Sequence, residues 1–275
     1  GDAPECCFDF DGDGEIDNAL GKLLEGLSGV LGDEDVNAEL TESVQKGSTI
    51  ILLEYAGLED PEAGGDFNVN LLYGEDTDGD YADNLAGTGT FYVDPQSFQE
   101  GTTTPQAVLP QGKLTADGSF SAGPGTFQIS FPIGIIKLQV KVSQAVIEAA
   151  TTVGPNGLGL AFEKALLGGA IKMTDLFNAF NAFVEVECGC LGLNQDPLIL
   201  YDEDKGKATC NDVDNSICDK TDDDESACAQ VASFCGALIL FLKPDLDTDM
   251  DGEKDAMSIG VMLNGTSATI EGLLP

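Results

Sequence analysis

The sequence predicts a mainly β protein with helices: an antiparallel β-sandwich or barrel core, flanking helices and a disulfide-stapled C-terminal region. Three observations predict it. From residue 48 the apolar residues run together or alternate with a period of two, in short stretches bounded by Gly, Pro and Asp, as strands require. These runs do not alternate with helical patterns, and no glycine-rich phosphate loop follows any of them, which argues against a doubly wound parallel sheet. Six of the eight cysteines fall within residues 188–235. The chain therefore divides into 1–47 (an acidic loop and helices), 48–187 (the β core and a closing helix) and 188–275 (a Cys-rich segment). The three can also combine into one composite domain.

The elements follow in order. After an acidic loop at 9–17, Leu20, Leu23, Leu24, Leu27 and Leu31 recur at helical spacing. A second helical pattern starts at Asp35 as N-cap, carries Val36, Leu40 and Val44 on one stripe, and stops at Gly47. Strands are expected at Ser48–Leu58, Phe67–Tyr73, Gly89–Asp94, Ala107–Thr115 and Gly125–Pro132, then at Ile135–Ser143, Gln144–Thr152 and Leu158–Ile171. Thr174 is read as the cap of a helix that buries Leu176, Phe177, Phe180, Phe183 and Val184. Another helix is expected over Ser226–Leu242, ended by Pro244. Two short β runs close the chain, Ser258–Leu263 and Ser267–Glu271, with Asn264-Gly265 between them as a hairpin signal.

Composition narrows the chemistry. Of 275 residues, 49 are Asp or Glu and 12 are cationic, a formal net charge of −37. All the cations are lysines, and histidine and tryptophan are absent. Arginine forks for phosphate, Ser-His-Asp or Cys-His nucleophiles and imidazole-bound zinc, copper or iron are therefore excluded. A nucleic acid partner is not expected, because no basic stripe offsets the repulsion between polyanions. Yet 42% of the residues are hydrophobic, enough for a core, so the acidity does not signal disorder. No apolar run approaches the roughly 18 residues of a transmembrane helix.

Much of the acid is clustered. The stretch Asp9-Phe-Asp11-Gly-Asp13-Gly-Glu15-Ile-Asp17 is repeated near the other end as Asp247-Thr-Asp249-Met-Asp251-Gly-Glu253-Lys-Asp255. Both read D-x-D-x-D-G-E-x-D. A hard cation takes six to eight oxygens at short range; alternate carboxylates on a tight loop converge on one point, and the glycine permits the sharp turn. Two calcium sites are expected, with a third candidate at Asp76, Asp78, Asp80 and Asp83, whose glycine is misplaced. The loops resemble those of the EF-hand, dockerin and thrombospondin type-3 repeat families over nine residues each. They depart at position twelve, where an EF-hand has Glu and this chain has Leu20 and Ser258. The resemblance therefore implies a structural clamp rather than a sensor. The chain as a whole is similar to uncharacterised secreted bacterial proteins that bear such terminal loops.

The cysteines, Cys6, Cys7, Cys188, Cys190, Cys210, Cys218, Cys228 and Cys235, are even in number and lack C-x-x-C metal pairs. They read as up to four disulfides in an oxidising compartment. Cys228 and Cys235 sit seven apart on one helix and must each reach another element; Cys6 and Cys7 are not expected to pair together. The chain starts at Gly1 without an initiator methionine, as a secreted protein does after its signal is removed. Catalysis would fall to isolated strand acids, Glu54, Glu148 and Glu163, each more simply a solvent-facing residue, so no enzyme is expected. A sequon at Asn264-Gly-Thr266 matters only in a eukaryotic host. The expectation is a non-catalytic, calcium- and disulfide-stabilised extracellular or cell-surface structural protein, assembling with copies of itself or another surface protein. The alternative is a secreted calcium-dependent module that binds glycan or protein, with stacking left to Tyr55, Tyr73, Tyr81, Tyr92 and Tyr201.

Overall fold

A computed structural model describes residues 6–23, 42–43, 45–47, 49–79, 81, 84–133, 136–155, 157, 159–193, 196–218 and 223–274. Most of the two N-terminal helical patterns, including Asp35, Val36, Leu40 and Val44, lies outside them; residues 19–23 are helical. The strands are β1 (Ile50–Ala56), β2 (Gly65–Glu75), β3 (Thr90–Val93), β4 (Ala107–Leu114), β5 (Ser119–Ile133), β6 (Ile136–Val153), β7 (Leu160–Lys172), β8 (Ile199–Asp202), β9 (Lys207–Cys210), β10 (Ala256–Gly265) and β11 (Thr269–Leu273). Helix α1 (Met173–Glu187) follows β7, and α2 (Asp223–Phe241) precedes β10.

Nine strands make one sheet in the order β10-β7-β6-β5-β4-β2-β3-β11, with β1 also paired to β2; β8 and β9 form a separate ribbon. Every ladder is antiparallel except β11 with β3. Of the two β architectures the sequence leaves open, a rolled, barrel-like sheet is formed. β10 and β11 stand at opposite ends of the hydrogen-bonded order, yet only residues 266–268 separate them in sequence. Those residues reach about 14 Å at most, whereas a flat sheet would hold the two several strand spacings of about 4.8 Å apart. The sheet must curl until its ends converge. Ser267 Oγ accordingly reaches the carbonyl of Gly87, ahead of β3, at 2.8 Å.

Three expectations change here. The two strands expected at 135–143 and 144–152 are one, β6. Gln144 takes φ 51° where the register with β5 and β7 shifts, a bulge that lets Val140, Val142, Ala145 and Ile147 all stay buried although their spacing breaks step. The terminal hairpin does not form: Gly265 remains in the β10 ladder opposite Phe162, Asn264 Oδ1 accepts the Lys164 N–H at 3.0 Å, and the chain crosses to β3 instead. Thr174 does not cap α1. The helix starts at Met173, its N-cap Lys172 has no capping side chain, and the Thr174 hydroxyl bonds Glu203.

The concave face and the helices share one core. Val69, Leu109, Phe120, Val142, Ile147 and Leu167 cluster with Met173, Leu176, Phe177, Phe180 and Val184 of α1, with Leu20 and Leu23, and with Leu198, Ile199 and Leu242. Phe183 is half-buried. Each large side chain fully buried this way contributes about 1.5–3 kcal/mol. The ridge of α1 is the one its phenylalanine spacing predicts.

Four disulfides form. Cys188 joins Cys228, Cys190 joins Cys218 and Cys210 joins Cys235, so each helical cysteine of α2 does reach another element. They close loops of 40, 28 and 25 residues, which in the chain-entropy view stabilises by about 3.5–4 kcal/mol each. The fourth corrects an expectation: Cys6 and Cys7 are bonded to each other, their peptide being cis and their Cα atoms 3.0 Å apart rather than the ~3.8 Å of a trans unit. Among the described residues no helix is long and apolar enough to cross a membrane.

Candidate metal centre

Each acidic loop is a short omega pinched at its base by one bridge. Asp17 N–H donates to Phe8 O at 2.8 Å, and Asp255 N–H donates to Leu246 O at 2.8 Å. Inside, the first aspartate of each loop bends the chain around itself. Asp9 accepts from Gly12 N at 2.6 Å and Gly14 N at 3.0 Å; Asp247 accepts from Met250 N at 2.7 Å and Gly252 N at 2.9 Å. The next two repeat a shorter turn. Asp11 accepts from Asp13 N and Asp13 from Glu15 N, at 3.1 and 2.8 Å; Asp249 accepts from Asp251 N and Asp251 from Glu253 N, at 3.3 and 2.8 Å. The last aspartate reaches back to the second residue: Asp17 to Phe10 N and Asp255 to Thr248 N, both at 2.6 Å. Gly14 and Gly252 take φ 91° and 99°, which a side chain resists.

The result is two carboxylate triads, Asp9, Asp11 and Asp17 in one loop and Asp247, Asp249 and Asp251 in the other, each with ligand oxygens within 4.8 Å of one another. Either triad could hold a metal ion. Oxygen-only donors suit a hard cation. Asp13 and Glu15, and Glu253 in the second loop, lie exposed beside the triads. Asp255 is drawn off its triad: its carboxylate accepts from Thr248 Oγ1 at 2.7 Å and lies 3.6 Å from Lys172 Nζ. Desolvation opposes ionisation there, but Thr248 and Lys172 together hold Asp255 below the usual carboxylate range. Among the described residues, Asp17 has no such cation. Burial pushes it above its ordinary value, with Asp11 and Asp245 adding repulsion against the hydrogen bonds from Phe10 and Asp11 N–H.

The fold brings the two loops together, although they lie at opposite ends of the sequence. Lys254 Nζ bonds Asp245 O at 2.7 Å and stands 3.8 Å from Asp11 Oδ2. Both loops are seated on β10. The Asn18 amide takes Gly260 by both backbone groups, donating to O at 3.0 Å and accepting from N at 3.1 Å. Ala19 N donates to Ser258 Oγ at 2.8 Å, and the same serine bonds Asp245. A Cβ on Gly260 would lie 2.6 Å from Cys6 O, so only glycine allows this approach. Asn18, Asp245, Thr248, Lys172 and Ser258 escape the sequence pattern because they lie outside the repeated nine residues or at its variable positions.

Other candidates are placed differently. Asp76 accepts from Asp78 N and Gly79 N, each at 3.1 Å, and from Asn84 at 3.3 Å; against some desolvation these bonds hold it below its ordinary value. Asp80 and Asp83 lie outside the described residues. Glu54, Glu148 and Glu163 are exposed on three different strands, and Glu54 accepts from Asn70 at 2.7 Å. Tyr55 is not a surface platform: its ring packs edge-on against Phe67 and Phe120. Compared with known proteins, the chain matches no family model, no curated protein and no solved structure.

Proposed function

We propose that the chain is a non-catalytic extracellular structural protein, stabilised by disulfides and by calcium in the two terminal loops, that assembles with copies of itself at a cell surface. The observation that carries this reading is the meeting, on one strand, of two acidic loops from opposite ends of the chain whose hydrogen bonds closely match. A cation in each would neutralise carboxylates that have only Lys172 and Lys254 beside them among the described residues. It would thereby fix both chain ends to the barrel. Calcium fits better than magnesium because it accepts irregular oxygen cages, and the spacing of the ligands resembles that of dockerin and thrombospondin loops. Disulfides support an oxidising compartment.

Assembly is supported by β11. It is exposed along its length and, among the described residues, pairs on one side only, with β3, leaving a row of backbone donors and acceptors for another strand. Size-exclusion chromatography with light scattering and negative-stain imaging, with calcium and with chelator, test the reading. Ordered oligomers that dissociate or disorder on chelation are expected. A monomer indifferent to calcium would overturn it.

A further inference from the structure

Helix α2 lacks a charged side. The stretch from Ser226 to Leu242, which holds most of it, carries no Asp, Glu or Lys. One face is spent within the fold: Cys228 and Cys235 are buried and bonded to Cys188 and Cys210. The opposite face looks outward and is mainly apolar. Ser233, Phe234, Gly236, Ala237, Leu240 and Phe241 recur at helical spacing and are all exposed, Leu240 at 69%, Phe241 at 49% and Phe234 at 39%. A surface helix of a globular domain turns charged or polar residues to water, and one that is apolar all round is ordinarily covered all round.

Gly236 points the same way. Glycine is the poorest helix former after proline, and a close approach by another element is what offsets it. No described residue makes that approach: a Cβ at Gly236 would meet nothing within 4 Å. At about 100° per residue, Phe234 and Phe241 lie along one edge of the outward face, Gly236 and Leu240 along the other, and Ser233 and Ala237 between them.

Charge identifies the occupant. A chain of net charge −37 repels a copy of itself wherever carboxylates face one another. The α2 face presents none. Beside it Lys243, exposed and in no ion pair among the described residues, offers a cation to an acidic neighbour. A second copy is such a neighbour, whereas a basic partner would be drawn to the carboxylates elsewhere. The face is also self-complementary. An antiparallel pairing about Ala237 brings Phe234 level with the partner's Phe241 along one edge. Along the other it sets Leu240 over the partner's Ser233 and Gly236, so that bulk falls on space.

We propose that the outward face of α2 pairs antiparallel with the same face of a second copy, about a two-fold axis at Ala237. The proposal rests on the reading of the chain as one that assembles with itself, and it adds to β11 a separate, symmetric contact. One helix face is smaller than the ~800 Å² per partner of a standard interface, so the pair dissociates in the micromolar range.

The test is sedimentation velocity on the full-length, disulfide-intact protein in calcium, over about 1–100 µM. Gly236→Leu fills the crossing yet has open space within its own chain, and Leu240→Glu puts a charge on an exposed site. Each is expected to weaken pairing at least about tenfold, with the Tm of the dilute monomer unchanged or, for Gly236→Leu, raised. Phe234→Ala and Phe241→Ala are each expected to weaken it, and together by less than the product of the two losses, because each ring meets the other across the axis. Folded Gly236→Leu and Leu240→Glu proteins that associate like the wild type would overturn the α2 face and leave self-assembly standing. A wild type that stays monomeric throughout would overturn both. Flotation with phosphatidylcholine vesicles that Leu240→Glu abolishes would overturn the second copy in favour of a lipid surface, and strictly multiplicative losses for the two phenylalanines would overturn the antiparallel register.

Discussion

The loops at 9–17 and 247–255 share most of one hydrogen-bonded frame and sit in different electrostatic surroundings. The N-terminal frame encloses Asp17, pushed upward by burial and by Asp11 and Asp245. The C-terminal frame has Lys172 beside Asp255 and a threonine, Thr248, where the first has Phe10. The difference teaches that one spacing folds both loops alike, while the neighbours decide which carboxylates converge, Asp17 in the first triad but Asp251 rather than Asp255 in the second. The C-terminal loop brings part of its own counter-charge. The N-terminal loop borrows Lys254 at 3.8 Å, and on the proposed function a cation would supply the rest of its counter-charge.

Calcium removal should expose that asymmetry most strongly. With free calcium at about a hundred times each Kd, two sites would stabilise the fold by about 2.7 kcal/mol each. Chelation should then lower Tm by roughly 10–20 °C for a domain of this size. Hydrogen exchange should rise further across residues 8–19 than across 246–256. Equal gains would break the comparison, and an unchanged Tm would remove the clamp altogether.

Lys172→Met sharpens the same comparison at smaller cost. The pair it removes is long and half-exposed, so calcium-loaded stability should change by less than about 1 kcal/mol. In chelator, exchange across 246–256 should climb to the level of 8–19, and the Asp255 carboxyl should titrate closer to its ordinary value. A C-terminal loop that stays protected would mean that Thr248 alone holds it.

The loops were legible in the sequence because their frame is local. Each hydrogen bond in it spans at most nine residues, and aspartate spacing with one glycine encodes all of it. What lay beyond was set by distant partners. That Asn18 would mimic a strand along Gly260, or that Lys254 would bridge the loops, depends on contacts some 240 residues apart in sequence. Most strands were legible from alternation, but the hairpin was not. Asn264-Gly265 has the residues of a tight turn, and the ladder to β7 and the bond to Lys164 outweigh that local preference. Alternation likewise marks which face of each strand is apolar.

The fourth position of the loops offers the finest discrimination. The N-terminal loop has Gly12 there at φ 78°, and the C-terminal loop has Met250 at φ 62°. A left-handed conformation costs a residue with a Cβ about 1–2 kcal/mol. Glycine avoids that cost, but its freer unfolded chain returns about 0.4–1 kcal/mol of the gain. Met250 is 90% exposed, so its side chain offers little contact in compensation. Met250→Gly should therefore tighten calcium binding at the C-terminal loop by up to about fivefold, a gain of about 1 kcal/mol, read by calorimetry with the N-terminal loop disabled by Asp9→Asn. A weaker or unchanged affinity would show that the two frames are not equivalent in backbone energy. The contrast between the loops would then rest on more than Lys172, Thr248 and the burial of Asp17.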